Sequence, residues 1–95
     1  MDRPCKVLHA PTGRYAAGHT SDLSRGGVLL ELHWARVLRP GDDIEVFIAW
    51  SDRTILQAQD GIRGCVRRVL TATDGRQMVG VEFAEDLAER WAAAA

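Results

Sequence analysis

Lysine, cysteine and long apolar runs are scarce in this chain of 95 residues. Lys6 is the only lysine among twelve basic residues, and thirteen acidic residues bring the formal charge to −1. General binders of nucleic acid or acidic membranes rely on a basic field, so this balance argues against both classes. No apolar run reaches the ~18 residues that a membrane span needs. No secretory signal precedes the first strand pattern either. We therefore expect a cytoplasmic protein.

Cysteine and histidine show no pattern typical of a metal site. Cys5 and Cys65 lack CxxC spacing, so we expect them to be reduced and packed as small apolar residues. Cys5 and His9 share a strand face, but about 13 Å apart at roughly 3.3 Å per residue, which is too far for one zinc ion. No nucleophile–base arrangement occurs, and Asp42 and Asp43 are expected to be solvated in a turn. The sequence thus predicts a protein that is not an enzyme and holds no metal or cofactor.

The turn signals recur at short intervals, which is typical of an all-β domain. Hydrophobic residues make up 46% of the chain, enough for one compact core, and we predict a single domain over residues 1–95. The 54–69 segment is either one long bent strand or two pieces broken near 60–61, and 21–27 is predicted to be a polar loop. The apolar and alternating segments predict strands at 5–10, 14–20, 27–32, 44–50, 54–69 and 77–83.

Two turns and a terminal helix complete the predicted fold. The segment Arg39-Pro40-Gly41-Asp42 is typical of a type II turn, and Asp74-Gly75 of a type I′ hairpin. Near the end of the chain, Leu87 and Trp91 recur at helical spacing, which predicts a short helix over 85–94. We therefore predict an all-β, six-stranded antiparallel barrel with a short carboxy-terminal helix, whose closure hides the strand edges.

The stretch from Asp22 to Gly27 is the candidate binding site. Asp22 and Ser24 are two residues apart and are expected on one face, with Leu23 toward the core. Gly26 and Gly27 are expected to let the backbone turn sharply and to let a flat ligand approach closely. A carboxylate, a hydroxyl and free backbone amides suit a guanine edge and a phosphate. The alternative is a local turn in which Asp22 and Ser24 bond only their own backbone.

These residues resemble the PilZ domain family. Asp22, Ser24 and Gly27 match its D/N-x-S-x-x-G motif. The resemblance implies a barrel that binds the second messenger cyclic di-GMP and is not an enzyme. Binding would order the amino-terminal segment, and an effector protein of unknown identity would recognise the changed surface. Further similarity lies at 38–42, 64–68 and 79–83.

The second ligand element of that family, an amino-terminal R-x-x-x-R, is incomplete here. Arg3 stands where the second arginine belongs, 19 residues before Asp22, and the resemblance implies that Arg3 clamps phosphate or guanine. The first arginine would precede Met1, and Lys6 cannot replace a bidentate guanidinium. Either the natural chain is longer, or this is a degenerate member that acts as a protein-interaction adaptor. Arg25 is the remaining candidate, since it either reaches the ligand or is solvated.

The remaining predictions concern three arginines on one strand and a third candidate function, the binding of nucleic acid. Arg63, Arg67 and Arg68 lie on one predicted strand and either rim the ligand site or, as we favour, form a solvated outer face. An SH3-like or OB-like barrel that binds nucleic acid is a third reading of the pattern. The acidic balance and the few aromatic residues count against it.

Overall fold

The computed structural model describes residues 3–49 and 61–85. Their strands pair antiparallel and close into one barrel in the order β1-β2-β3-β6-β5-β4. This confirms the predicted all-β, six-stranded antiparallel barrel. The strands are β1 Pro4–His9, β2 Arg14–Leu23, β3 Gly27–His33, β4 Asp43–Ile48, β5 Gly61–Thr73 and β6 Arg76–Phe83.

Alternation of apolar and polar residues decides which side chains fill the barrel. In β3, Val28, Leu30 and Leu32 are buried, and the residues between them are only partly buried. Successive side chains of a strand point to opposite faces, so every second residue enters the core. Five of the described strands supply the buried cluster of this core, and β2 supplies Leu23, which is partly buried and packs against it. The cluster consists of Cys5, Val7, Val28, Leu30, Leu32, Leu38, Ile44, Val46, Ile48, Ile62, Val66, Val79, Val81 and Phe83.

Strand β2 runs further than predicted and carries the first part of the candidate site. The polar loop predicted at 21–27 is wrong for residues 21–23, because these continue β2 as far as Leu23. The register with β3 shifts between Thr20 and Asp22, so Ser21 is an extra residue at a bulge. A bulge interrupts the alternation of polar and apolar positions. The alternating pattern in the sequence therefore ends at Thr20, although β2 continues to Leu23.

Both predicted turns are confirmed. Gly41 has φ 97° and the amide of Asp42 donates to the carbonyl of Arg39 over 3.0 Å, as a type II turn requires. Asp74 and Gly75 have φ of 55° and 75° between β5 and β6, as a type I′ hairpin requires.

Three predictions concern residues that the structure does not describe. The predicted strand residues 50 and 54–60 lie outside the described residues, as does the helix at 85–94 except for Glu85, which lies in a bend. Within residues 3–49 and 61–85 no helix is present. Accordingly, nothing in these two ranges forms a helix of the length and apolar character needed to cross a membrane.

A buried histidine, His9, connects the turn between β1 and β2 to the type II turn that contains Asp42. His9 is 2% exposed. Its Nδ1 lies 2.8 Å from the hydroxyl of Thr12, and its Nε2 lies 2.9 Å from a carboxylate oxygen of Asp42. Since a carboxylate only accepts, Nε2 carries the donated hydrogen. The ring of Trp34 packs edge-on against that of His9, with 5.4 Å between centroids.

Asp42 is therefore not simply solvated, as the sequence had led us to expect. Burial acts to raise the pKa of Asp42. The hydrogen bonds from His9 and from the amide of Arg39, with the charges of these two residues, outweigh that effect and hold the pKa below its ordinary 3.8. Asp42 thus stabilises the turn in its ionised form.

A second buried polar side chain fixes the segment before that turn. Gln77 is 2% exposed on β6. Its Oε1 accepts from the amide of Leu38 at 2.9 Å. Its Nε2 donates to the carbonyls of Trp34 at 3.2 Å and Arg36 at 2.7 Å. One amide group therefore satisfies three backbone groups of the β3–β4 connection.

Candidate ligand-binding groove

Four of the predicted site residues, Asp22, Ser24, Gly26 and Gly27, line an open groove of about 550 Å³ on the outer surface of the barrel. The groove lies where the β2–β3 corner meets the outward faces of β5 and β6. Its polar and glycine lining consists of Asp22, Ser24, Gly26 and Gly27 from the corner, Arg67 and Arg68 from β5, and Gly80 and Glu82 from β6.

Asp22 and Ser24 both face this groove, and Leu23 between them packs against the core, as predicted. The amide and the hydroxyl of Ser24 both donate to the carbonyl of Gly27, at 2.9 and 3.2 Å. The local-turn alternative therefore applies to Ser24, whose oxygen keeps its acceptor lone pairs. It does not apply to Asp22, because no hydrogen bond to its side chain occurs in the described part of the chain.

The chain bends at 25–26 between β2 and β3, but this turn does not depend on Gly26 and Gly27 being glycine. Neither has a positive φ. A Cβ atom on Gly27 would lie 2.4 Å from the carbonyl oxygen of Val81, so this glycine permits close packing of β3 against β6. A Cβ atom on Gly26 would meet nothing within 4 Å. The predicted role that remains for Gly26 is to let a ligand approach closely.

Arg3 and Arg25, the other two predicted site residues, do not line the groove. The amide of Arg3 donates to the hydroxyl of Thr20, and its carbonyl accepts from the amide of Thr20, both at 2.8 Å. Arg3 thus extends the pairing of β1 with β2. Its partner, Thr20, is two residues before Asp22 in the sequence. Arg25 is exposed in the bend between β2 and β3.

Arg67 and Arg68 enter the groove because β5 has a bulge. Val66 pairs with Val81 and Arg68 pairs with Gly80, so Arg67 is an extra residue between them. The extra residue breaks the alternation, and two consecutive side chains are exposed. The sequence did contain a signal for this arrangement, because two arginines in succession do not fit a strand with one buried face.

Four residues form a row across the floor of the groove, one from each of four neighbouring strands. Asp22 pairs with Leu29, Leu29 with Gly80, and Gly80 with Arg68. At about 4.8 Å between strands, the backbones of Asp22 and Arg68 are about 14 Å apart around the barrel. A carboxylate therefore lies at one end of the row and a guanidinium at the other, with an apolar side chain and a glycine between them.

The charges of the groove balance, but they are not all paired. Arg67 and Glu82 form an ion pair with 2.8 Å between Nε and Oε2, and this hydrogen bond raises the pKa of Arg67. For Asp22 and Arg68, no ion pair is present within residues 3–49 and 61–85. The groove thus presents one acceptor group and one donor group, which suits a flat anionic ligand that has both donors and acceptors.

The described residues do not bring metal ligands together. No group of three or more His, Cys, Asp or Glu side chains that could hold an ion occurs within these ranges. Both cysteines are free, and burial raises the pKa of Cys5 to about 12. The Cys5 thiol is therefore protonated at neutral pH and packs in the core as an apolar group.

The structure is thus a closed six-stranded barrel with an open groove on its outer surface. A model of the PilZ domain family matches residues 1–92, and the chain belongs to this family. PilZ domains are binding and regulatory domains and include the receptors for cyclic di-GMP.

The chain is also similar to the crystal structure of the PilZ domain of CeSA from a cellulose-synthesizing bacterium. The TM-score is 0.58 at 19% sequence identity, over 96% of this chain and 84% of that one. At this identity the likeness concerns the fold. No curated protein matches the chain.

Proposed function

We propose that this domain is a receptor that binds cyclic di-GMP in the groove beside Asp22 and Ser24. The observation that carries the proposal is the opening of both side chains onto a groove that also contains guanidinium groups. Carboxylate, hydroxyl and guanidinium are the groups that guanine and phosphate bind in proteins.

Each side chain of the groove has a role that follows from its chemistry. The Asp22 carboxylate accepts hydrogen bonds from the N1 and N2 groups of a guanine, and the Ser24 oxygen adds a further acceptor. Gly26 leaves room for the base, because nothing in the structure lies within 4 Å of the position of a Cβ atom there. Arg3 approaches from β1 on the far side of β2, and its long side chain contributes a phosphate contact.

Signalling follows from the position of the groove on the surface of the barrel. A nucleotide that lies in the groove and is contacted by Arg3 orders the amino-terminal segment, and an effector protein recognises the changed surface. The domain itself performs no chemistry on the nucleotide. Because cyclic di-GMP is a second messenger made within bacterial cells, the proposal places the domain in the cytoplasm.

Isothermal titration with cyclic di-GMP tests the proposal. We expect saturable heat for the natural sequence and a ten- to hundredfold weaker affinity for Asp22→Ala, since about 1–3 kcal/mol is lost with one bidentate contact. Asp43→Ala is the matched control, because Asp43 is an exposed carboxylate at the start of β4 that does not line the groove. Cyclic di-AMP should bind poorly, since adenine presents no N1 donor to a carboxylate. Absence of heat at tens of micromolar cyclic di-GMP would refute the proposal.

The second candidate function is that of a protein-interaction adaptor without a nucleotide. One observation favours it: Arg3 does not line the groove. The same titration separates the two functions. An adaptor gives no heat with cyclic di-GMP although the barrel is folded.

A further inference from the structure

We infer that Arg68, which is not a residue of the D-x-S-x-x-G or R-x-x-x-R motif, is the guanidinium that completes the nucleotide site. This inference rests on the proposed function. The amino-terminal motif supplies one arginine, and that residue does not line the groove. Arg68 does line it, at the opposite end from Asp22 of the row that crosses four strands.

Gly80 is what allows Arg68 to extend into the groove. The two residues pair directly across β5 and β6. A Cβ atom on Gly80 would lie 3.0 Å from Cγ and 3.2 Å from Nε of Arg68. The arginine side chain therefore lies across the outer face of β6, over the place where any other residue would carry its side chain. This path directs the side chain along the row toward Leu29 and Asp22.

Arg67 is held differently and has a different role. Its Nε donates to Glu82 over 2.8 Å, so one edge of its guanidinium is occupied. Arg68 forms no such ion pair within the described part of the chain. The Arg67–Glu82 pair borders the groove, and the free fork of Arg68 is the group that binds ligand.

The ligand group that fits Arg68 is a planar pair of acceptors. A guanidinium fork donates two parallel hydrogen bonds, to the two oxygens of a phosphate or to O6 and N7 of guanine. When Asp22 accepts from the Watson–Crick edge of a guanine, Arg68 at the other end of the row donates to a further pair of acceptors on the same cyclic dinucleotide. A lysine at this position provides the charge but not the two parallel bonds.

Calorimetric titration of four proteins with cyclic di-GMP tests the inference: the natural sequence, Arg68→Ala, Arg68→Lys and Arg76→Ala. We expect a ten- to hundredfold loss for Arg68→Ala and a smaller loss for Arg68→Lys. Arg76 is the matched control, an exposed arginine at the hairpin end of β6, four residues from Gly80. Thermal unfolding of each variant establishes that the barrel is intact.

The variant Gly80→Ala provides a second, independent measurement. Its methyl group would meet Cγ and Nε of Arg68 at 3.0 and 3.2 Å, so the arginine side chain must shift by a few tenths of an ångström, and the neighbour that moves is a side chain and not backbone. In the natural background we expect a several-fold loss of affinity, and in the Arg68→Ala background no further loss. Such coupling is what a double-mutant cycle detects between residues in contact.

The outcomes separate the two proposals. If the natural sequence releases no heat with cyclic di-GMP, the proposed function fails. If it binds, but Arg68→Ala binds as tightly as Arg76→Ala, the function stands and the role of Arg68 is refuted. An equal loss from Gly80→Ala in both backgrounds would mean that the methyl group meets the ligand directly, which overturns the positioning role of Gly80.

Discussion

The contrast between two neighbouring glycines gives the sharpest test of the structure. A methyl group on Gly27 would lie 2.4 Å from the carbonyl oxygen of Val81, whereas one on Gly26 would meet nothing within 4 Å. Since the obstacle at Gly27 is backbone, β3 and β6 must separate by about 1 Å to reach an ordinary contact of 3.4 Å. Overpacking of this kind costs about 1–3 kcal/mol. The movement also disturbs the carbonyl of Gly27, which accepts two hydrogen bonds from Ser24.

The expected result is a large difference between two chemically identical changes. For a domain of this size, each kcal/mol lowers the melting temperature by about 4–8 °C, so Gly27→Ala should melt roughly 5–20 °C below the natural sequence. Gly26→Ala should melt within about 2 °C of it, since neither its φ nor its surroundings require a glycine. Circular dichroism during heating measures both. Equal melting temperatures for the two variants would refute the assignment of Gly27 to strand packing.

Three further predictions concern the polar contacts of the barrel and the groove. The pKa of Asp42 is lowered in the folded state, so its contribution to stability is present above the ordinary value of 3.8 and is lost as the pH falls through the lower folded value. Urea unfolding at about pH 5 and about pH 2 should therefore show a smaller loss for Asp42→Asn than for the natural sequence; an equal loss would contradict the contact with His9. Gln77→Met should destabilise the barrel by about 2–4 kcal/mol in the same assay, because three buried backbone groups lose their partner; a cost below about 0.5 kcal/mol would count against it. Glu82→Gln should strengthen cyclic di-GMP binding several-fold, since it removes a negative charge from the groove and leaves Arg67 with an uncharged, weaker hydrogen-bond partner; weaker binding in calorimetry would disprove this.

Much of the fold could be predicted from the sequence because the barrel core follows strict alternation. Strand β3 was predicted to within one residue, since Val28, Leu30 and Leu32 are apolar and all three are buried. The two turns were predicted from Gly41 and Asp74-Gly75, where the backbone needs a positive φ that few residues adopt.

The predictions failed where alternation is interrupted. The bulge at Ser21 hid the last part of β2. Arg67 and Arg68 were expected on a solvated outer face, and both are exposed, but the bulge at Arg67 brings both to the groove. The contact between His9 and Asp42 could not be predicted either, because 33 residues separate them and only the register of β1 with β4 brings them together. The alternation within each strand specifies which face is buried, but not which residue of β1 lies beside which residue of β4.

The extra residue in β5 has a consequence for how binding sites of this kind can change. Inserting Arg67 adds a cation to the surface, yet Val66 before it and Val69 after Arg68 still contact the core. The extra residue changes which side chains point outward, while the same valines still point into the core. A barrel with such a bulge beside its groove can acquire or lose a charged side chain there through one inserted or deleted codon. No compensating substitution in the interior is needed.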